Sequence, residues 1–488
     1  MIQTKFLGHA CLRFSGAGGA LICDPWLSTV PIYGNTAVKY PFLPQEELAS
    51  ALNAAYVYVS HHHEDHFHIP SLDLYPRHTT MLIPAFEYVR HPRAASMRRT
   101  LERLGFTKVV TLKSWETVDI DLGERLELTL IPSAQSRWHD WENSGLILKC
   151  AGWTALNLND NLVDDALLDQ IRLRCGRPDA VFVQGFPSTE FPGSFDFTIA
   201  EKIRIGRQKR GNVEQAELVI RKLAPRSVTP IACDIAWHRR VDHYRNYSDK
   251  PTPSRFGSIL ARRGLLARTE YVELGPGDTL DVDALTVRRP YGALNYAGFR
   301  RRLRRKLPRF DALVAAYDTY AGRRGFDATA LDRVLVDLRA YFPREFPVAA
   351  AVRIDFVIVN ENALTLARIC FCILGRELSI SADETPNMDC DQEIIVPEGI
   401  WLETLSGRLL RRDLFALCVN RQLKPFKPAV AGLRYFISYY FDFGDISPWV
   451  RISRQQPSED NLAQMRSLRG ELAPLFSAHD LRDEYVRG

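Results

Sequence analysis

Five of the chain's twelve histidines fall within eight consecutive positions, in the stretch SHHHEDHFHIP that begins at Ser60. The spacing within it is His-x-His-x-Asp-His, from His61 to His66. If a strand ends just before this loop, His61 and His63 point to one side, and Asp65 and His66 follow after a turn. Imidazole and carboxylate groups suit Zn, Fe, Mn, Ni or Cu. The stretch therefore predicts a metal site rather than a solvated polar loop, and Asp65 and His66 are also candidate catalytic residues.

One loop cannot complete the coordination of two ions, so the remaining ligands must come from other segments. Three polar residues lie beside predicted strands, where a rigid scaffold commonly carries functional groups: His139, Asp160 and His238. Each has an ordinary alternative. A lone histidine is more often a surface or core residue, and Asp160 alone is suited to cap a helix that begins at Asn161. Together with the loop, the three residues complete a candidate set of seven metal ligands.

The first 285 residues alternate short apolar strands with helical patterns, beginning with one long strand predicted at 5–14. Strands such as AAYVYVS and AVFVQG are apolar throughout, which is typical of strands covered on both faces. This pattern predicts a layered α/β metal-binding catalytic domain at 1–285. A basic run, RRPYGALNYAGFRRRLRRKLPRF, lies at the boundary. The pattern beyond it predicts a smaller α+β domain with a charged tail at 286–488.

The composition excludes few classes of protein. The net charge of +5, from 63 basic and 58 acidic residues, is too small to argue for nucleic-acid binding. Nine cysteines, an odd number with no Cys-x-x-Cys pair, argue against a disulfide framework and for reduced thiols. The first residues lack the pattern of a signal peptide, and no apolar run reaches the roughly 18 residues of a transmembrane helix. We therefore expect a cytoplasmic protein with neither a nucleic-acid nor a membrane partner.

The order of these ligands resembles that of the metallo-β-lactamase superfamily. The resemblance implies an αβ/βα four-layer sandwich with two metal ions at one edge of the sheets, held by His61, His63, Asp65, His66, His139, Asp160 and His238. A narrower likeness links LGHACLRF, ICDPWLSTVPIYGN and YVYVSHHHEDHFHIPSL to the metal-binding domain of the CMP-N-acetylneuraminate hydroxylase family. WHDWENSGLIL and NLND run parallel to that family as well, which supports His139 and Asp160.

Hydroxylases of that family carry a Rieske domain, whose [2Fe–2S] cluster needs Cys-x-His and Cys-x-x-His ligand pairs. No cysteine of this chain stands in such a pair. We therefore expect a separate electron-donor protein as a partner. CMP-sialic acid cannot be carried over as the substrate.

Two chemistries remain open for a dinuclear site. A pair of irons activates O₂ for hydroxylation, whereas a pair of zinc ions activates water for hydrolysis of an ester, lactone or phosphodiester. The narrower resemblance favours a non-haem di-iron, O₂-dependent oxygenase acting on a small polar, anionic metabolite, with the zinc hydrolase as the alternative. A binding protein with a vestigial site is the third hypothesis. It is disfavoured because a cluster of desolvated histidines and carboxylates is costly to keep without a function.

A few further residues are candidates for the surroundings of the metals. His9 in LGHAC and Asp24 in CDPWL are expected to support ligands, Asp24 by accepting the free N–H of a ligand histidine. Arg204 and Arg207 are candidates for binding an anionic substrate, because guanidinium groups suit carboxylate and phosphate. Trp141 is a candidate pocket wall. The alternatives are a solvated helix face for the arginines and core packing for the tryptophan.

Overall fold

The structure is a computed structural model of the chain. It describes residues 2–28, 30–85, 97–134, 143–186, 191–208, 212–248, 252–294, 328–342, 345–382, 389–405 and 411–425, short pieces between 427 and 437, and 485–486. Among these residues, no helix is both long enough and apolar enough to cross a membrane.

Eighteen strands are described up to residue 294: β1 (Gln3–Gly8), β2 (Cys11–Gly16), β3 (Gly19–Cys23), β4 (Ala37–Lys39), β5 (Tyr56–Tyr58), β6 (Thr80–Pro84), β7 (Lys108–Leu112), β8 (Thr117–Asp121), β9 (Arg125–Pro132), β10 (Ser144–Cys150), β11 (Trp153–Asn159), β12 (Ala180–Gln184), β13 (Ser227–Ile231), β14 (Ile235–Trp237), β15 (Glu270–Tyr271), β16 (Thr279–Asp281), β17 (Thr286–Arg288) and β18 (Ala293–Leu294). The helices of the same region are α1 (Gln45–Leu52), α2 (Ile69–Leu72), α3 (Met97–Leu104), α4 (Asp165–Cys175), α5 (Ile199–Gln208), α6 (Val213–Leu223), α7 (Arg245–Ser248) and α8 (Pro253–Arg262).

Most of these strands form two mixed sheets. The first has the order β17-β16-β1-β2-β3-β5-β6-β7, and the second has the order β15-β13-β12-β11-β10-β9-β8. In both sheets antiparallel hairpins lead into parallel strands, at the β3–β5 pair in the first and at the β11–β12 pair in the second. Parallel strands need long crossover connections, and here those connections carry the helices.

The two sheets pack face to face, and helices cover their outer faces. Apolar side chains from both sheets fill the space between them, among them Phe14 and Leu128. Helices α1 and α3 pack on the outside of the first sheet, and α4, α6 and α8 pack on the outside of the second. The predicted αβ/βα four-layer sandwich is therefore confirmed. Burial of each large apolar side chain in these layers contributes roughly 1.5–3 kcal/mol to folding.

The long strand predicted at 5–14 is wrong, because the chain folds there into the β1–β2 hairpin. Gly8 and His9 have φ angles of 97° and 57°, in the left-handed region that glycine adopts most easily. Apolar residues stand on both sides of the turn, Phe6 and Leu7 before it and Ala10 to Leu12 after it, and this is why the stretch was predicted as one strand. The turn places His9 at the end of the hairpin rather than within a strand.

A separate four-stranded sheet follows in the C-terminal part of the chain. Its elements are α9 (Ala328–Tyr341), β19 (Glu345–Val359), β20 (Thr365–Ala382), β21 (Gln392–Pro397), α10 (Glu398–Leu405), α11 (Arg411–Leu417) and β22 (Val419–Gln422), and a short strand, β23 (Tyr485–Val486), pairs with β18. The sheet order is β20-β19-β21-β22, and its own core includes Phe356, Phe371 and Trp401. The predicted C-terminal α+β region is thus present as a sheet covered by helices. The exact domain boundary at 285/286 stays a prediction.

Candidate metal centre

Four chain segments bring polar side chains together at one edge of the two sheets. They are the turn between β1 and β2, the residue after β3, the loop after β5 and the residue after β11. These segments supply His9, Asp24, His66 and Asp160 in turn, and the loop also supplies His61 and Asp65. Apart from Asp160, all of these side chains are buried.

His66 lies at the centre of this cluster. Its Nε2 lies 3.4 Å from Oδ2 of Asp160 and 3.9 Å from Oδ2 of Asp65. Its Nδ1 lies 3.1 Å from Oδ2 of Asp24. One ring nitrogen is therefore held by Asp24, and the other faces two carboxylates, which is the arrangement in which a histidine serves as a metal ligand.

Two groups of candidate ligand atoms overlap at His66. One is formed by His9, Asp65 and His66, and the other by His61, His66 and Asp160, and within each group the donor atoms all lie within 4.8 Å of one another. Oδ1 of Asp160 is buried and has no hydrogen-bond partner among the described residues. Buried polar atoms in proteins are nearly always satisfied, so an orphaned carboxylate oxygen beside imidazoles fits a missing cation. The nitrogen and oxygen donors suit iron or zinc equally.

Asp24 and Ser60 hold the ligand histidines in place. Asp24 accepts hydrogen bonds from the backbone N–H of Ser60, at 2.7 Å, and from its hydroxyl, at 2.9 Å. The Ser60 Oγ also lies 2.8 Å from Nδ1 of His61. Asp24 therefore orients His66 directly and His61 through Ser60, so that Nε2 of His61 lies 2.9 Å from Nδ1 of His63.

The electrostatics of the cluster favour a cation. Burial alone lowers the pKa of His66, but the carboxylates of Asp160, Asp24 and Asp65 outweigh this and raise the pKa well above its ordinary value. Burial alone raises the pKa of Asp65, but the charge of His66 and hydrogen bonds from His9 and Tyr33 hold it well below its ordinary value. Three carboxylates therefore lie close to His66 and favour its charged form, as they would favour a metal cation.

His9 and Tyr33 complete the surroundings of Asp65. Nε2 of His9 lies 3.1 Å from Oδ2 of Asp65, and the Tyr33 hydroxyl donates to Oδ1 at 2.6 Å. Tyr33 and Ser60 were not among the residues predicted from the sequence. The Tyr-Gly-Asn turn of the segment ICDPWLSTVPIYGN was the available signal for Tyr33, because Gly and Asn there mark a tight turn. Ser60 carried no signal beyond its position before the loop.

The predicted ligand His238 stands apart from both groups. Its buried Nε2 lies 3.0 Å from Oδ1 of Asn35, and its backbone N–H donates to the carbonyl of Thr36. Burial and the neighbouring Arg239 lower the pKa of His238 to about 3. His238 is thus neutral at physiological pH, the form in which imidazole binds metals, but in this structure it faces an amide.

Of the other residues predicted from the sequence, the structure describes the two arginines but not His139 or Trp141. His139 and Trp141 lie outside the described residues. Arg204 and Arg207 are exposed on α5.

The alternative role of Asp160 as a helix cap is wrong, because α4 begins at Asp165 and Asp164 caps it by accepting from the N–H of Leu167.

Replacing Asp160 by asparagine should lower the number of bound metal ions per chain. Asparagine keeps the size of the side chain but removes the charge that faces Nε2 of His66, and neutral amides are poorer ligands. His68→Gln is the control, because His68 follows the loop closely in sequence but contacts Ser71 and belongs to neither group of ligand atoms. Metal analysis after dialysis measures both variants, and equal metal loss in the two would show that the ligand assignment is wrong.

Comparison with known families agrees with this geometry. Residues 3–157 match the Beta-lactamase superfamily domain. Over these residues the chain is similar to that superfamily. The matched residues include the hairpin turn with His9, Asp24 after β3 and the whole His61–His66 loop, whereas Asp160 follows three residues beyond them.

Curated relatives match part of the chain. A protein from Mycolicibacterium smegmatis named "Putative Rieske 2Fe-2S iron-sulfur protein" is 28% identical over 212 residues, which cover 43% of this chain and 39% of that protein. The cytidine monophosphate-N-acetylneuraminic acid hydroxylase of Danio rerio is 25% identical over 297 residues, which cover 58% of this chain and 46% of that protein. The chain therefore spans less than half the length of these relatives.

Among solved structures, the chain is similar to CmlA, a diiron beta-hydroxylase from Streptomyces venezuelae. The likeness has a TM-score of 0.41 at 19% sequence identity and covers 57% of this chain and 54% of that protein.

Proposed function

We propose that this protein is a dinuclear metal enzyme, and that it is a non-haem di-iron, O₂-dependent oxygenase that hydroxylates a small anionic metabolite. The observation that carries the proposal is the convergence of His61, Asp65, His66 and Asp160 in a buried, negatively charged cluster. Such a cluster is costly to keep without cations. His63, His139 and His238 are the proposed further ligands of the two ions.

The chain's own residues would prepare the site for these ions. Asp24 fixes Nδ1 of His66 and leaves Nε2 directed at the cluster, while Tyr33 and His9 hold both oxygens of Asp65. The burial of these groups excludes bulk water, which strengthens every electrostatic interaction inside. Iron held there would supply O₂ activation, and zinc held there would supply Lewis-acid activation of water.

The names of the curated relatives support iron over zinc. One relative is named as a hydroxylase, which is a redox activity, and another as a Rieske 2Fe-2S iron-sulfur protein, whose name refers to iron. Hydroxylation by O₂ places one oxygen atom in the substrate and releases the other as water, which consumes two electrons and two protons. We propose that an electron-transfer protein supplies these electrons.

A zinc-dependent hydrolase is the second candidate function. The match of residues 3–157 supports it, because the superfamily domain takes its name from a hydrolytic activity. The donor set of imidazoles and carboxylates suits zinc as well as iron, so the ligands alone do not separate the two functions.

Metal content and oxygen dependence distinguish the candidates. We expect the full chain, purified from cells grown with added iron, to contain about two irons and little zinc, and the reduced protein to change its absorption spectrum on exposure to O₂. The His66→Ala variant serves as the control and should show neither property.

The opposite result would replace the oxygenase by the hydrolase. In that case the purified chain holds zinc in stoichiometric amount and cleaves p-nitrophenyl acetate or bis(p-nitrophenyl) phosphate under argon. Absence of any bound metal in the purified and the reconstituted chain would contradict both functions.

A further inference from the structure

A cavity lies where the four-stranded C-terminal sheet meets the sandwich of two sheets. Its volume is about 360 Å³, within the range of roughly 300–1,000 Å³ that is usual for small-molecule sites. Its lining includes Tyr33 from the loop after β3 and Trp237 from β14, Phe195 and Lys202 from the segment before and within α5, and Val419 from β22.

Backbone contacts between the two regions build this cavity. The N–H of Asn420 donates to the carbonyl of Ser194 at 2.7 Å, and the N–H of Asp196 donates to the carbonyl of Asn420 at 2.9 Å. The segment around Phe195 thereby pairs with β22 at the edge of the C-terminal sheet. Nearby, Gly34 packs so closely that an added Cβ would lie 2.8 Å from Cγ of Leu417. The C-terminal region therefore packs closely against the loop that carries Tyr33.

One side chain, that of Tyr33, contacts both the cavity and the candidate metal centre. Tyr33 lines the cavity, and its hydroxyl donates to Oδ1 of Asp65 at 2.6 Å. Its ring stacks on that of Trp237, with centroids 6.5 Å apart and an angle of 21° between the ring planes. A molecule in the cavity would thus be separated from a proposed metal ligand only by the Tyr33 ring.

The lining combines aromatic rings with an excess of positive charge. Phe195, Phe197 and Trp237 are the aromatic residues of the lining. The rings of Phe195 and Phe197 stack on each other, and the Arg245 guanidinium lies 3.4 Å from the centroid of the Trp237 ring. Three cationic side chains, Lys202, Arg239 and Arg245, line the cavity beside two anionic ones, Asp196 and Asp242.

Lys202 is the cation most suited to bind a ligand. Asp196 lies 3.1 Å from Arg421, and Asp242 lies 4.0 Å from Arg245. The Lys202 ammonium donates to the carbonyl of Gly193 at 2.7 Å. No carboxylate of the described residues forms an ion pair with it, but the charges of Asp242 and Asp196 act on it from nearby. An ammonium group has three donors, so two remain for a ligand.

We propose that this cavity is the substrate site of the metal centre and takes a small aromatic anion, whose ring lies among Phe195, Phe197 and Trp237 and whose carboxylate is bound by Lys202. The inference rests on the proposed function, because it assigns the substrate class of the same centre. The C-terminal region then forms one wall of the active site.

Two aromatic probes of opposite charge test this assignment. Indole-3-acetate and tryptamine carry the same ring, so calorimetric titration of each into the metal-loaded full chain isolates the effect of the charge. We expect indole-3-acetate to bind at least tenfold more tightly than tryptamine. Lys202→Gln should weaken binding of indole-3-acetate about tenfold, whereas Lys222→Gln, a change of a lysine on α6 that pairs with Asp165, should leave it unchanged.

A second measurement places the probe relative to the metal. Proton resonances of indole-3-acetate should broaden in the presence of the chain loaded with Mn²⁺ and not with the Zn²⁺-loaded chain, because a paramagnetic ion relaxes only nearby nuclei. The inference would be overturned if the two probes bound equally or if neither bound. It would also be overturned if Lys202→Gln left the affinity for indole-3-acetate unchanged, or if Mn²⁺ caused no selective broadening. Loss of metal binding with retained preference for the anionic probe would instead contradict the proposed function alone.

Discussion

Replacement of His66 by alanine is expected to lower the affinity of the chain for iron or zinc by about 100-fold or more. His66 belongs to both groups of ligand atoms, and its Nε2 is the nitrogen that faces Asp65 and Asp160. Loss of a partner that merely supports a ligand already costs about 10–100-fold in metal affinity, so loss of the shared ligand should cost at least as much. Equilibrium dialysis followed by metal analysis measures the effect.

His78→Ala is the matched control for this prediction. His78 is exposed after the second helix of the domain and lies outside both groups. It should keep the metal content of the unaltered chain. Circular dichroism establishes that His66→Ala is folded, and His66→Gln repeats the test with a larger side chain. Full metal content in a folded His66 variant would show that the metals bind elsewhere.

The change of Asp24 to asparagine should have the second largest effect, on both stability and metal affinity. Asp24 is fully buried, accepts two hydrogen bonds from Ser60 and lies 3.1 Å from Nδ1 of His66. Asparagine keeps one acceptor and tolerates the φ of 45° at this position, but it removes the charge. We expect a loss of about 1–3 kcal/mol in the free energy of unfolding of the metal-free chain and a 10–100-fold loss in metal affinity.

Urea unfolding and metal titration of the same variant measure these two effects. Asp119→Asn is the control, because Asp119 is half exposed and pairs with Arg125 on the surface, where an ion pair contributes at most about 1 kcal/mol. If Asp24→Asn matches this control in both measurements, Asp24 does not orient the ligand histidines.

The layered fold and the central loop could be predicted from the sequence because both depend on local patterns. Strands buried on both faces leave continuous apolar runs, and the six residues from His61 to His66 carry four candidate ligands at a spacing typical of metal sites. Asp24 was predicted as a support for a ligand histidine, and the structure places it beside His66.

The contacts between distant segments could not be predicted in this way. His9 reaches Asp65 only because the hairpin turns at Gly8, and the apolar residues on either side of that turn are compatible with one continuous strand. The cavity at Tyr33 depends on pairing between the segment at Phe195 and β22, which lie more than two hundred residues apart. Local sequence periodicity does not predict such a pairing, because the pairing depends on how two separate parts of the chain pack together after each has folded.

The central claim is that side chains from separate segments converge on His66 to hold metal ions. Anomalous X-ray diffraction from crystals of the metal-loaded chain, collected at the iron and zinc absorption edges, tests it most directly. We expect two anomalous peaks beside Nε2 of His66, within ligand distance of Asp65 and Asp160. Both peaks should be stronger at the iron edge than at the zinc edge. Peaks confined to other parts of the molecule, with none in contact with these three residues, would contradict it.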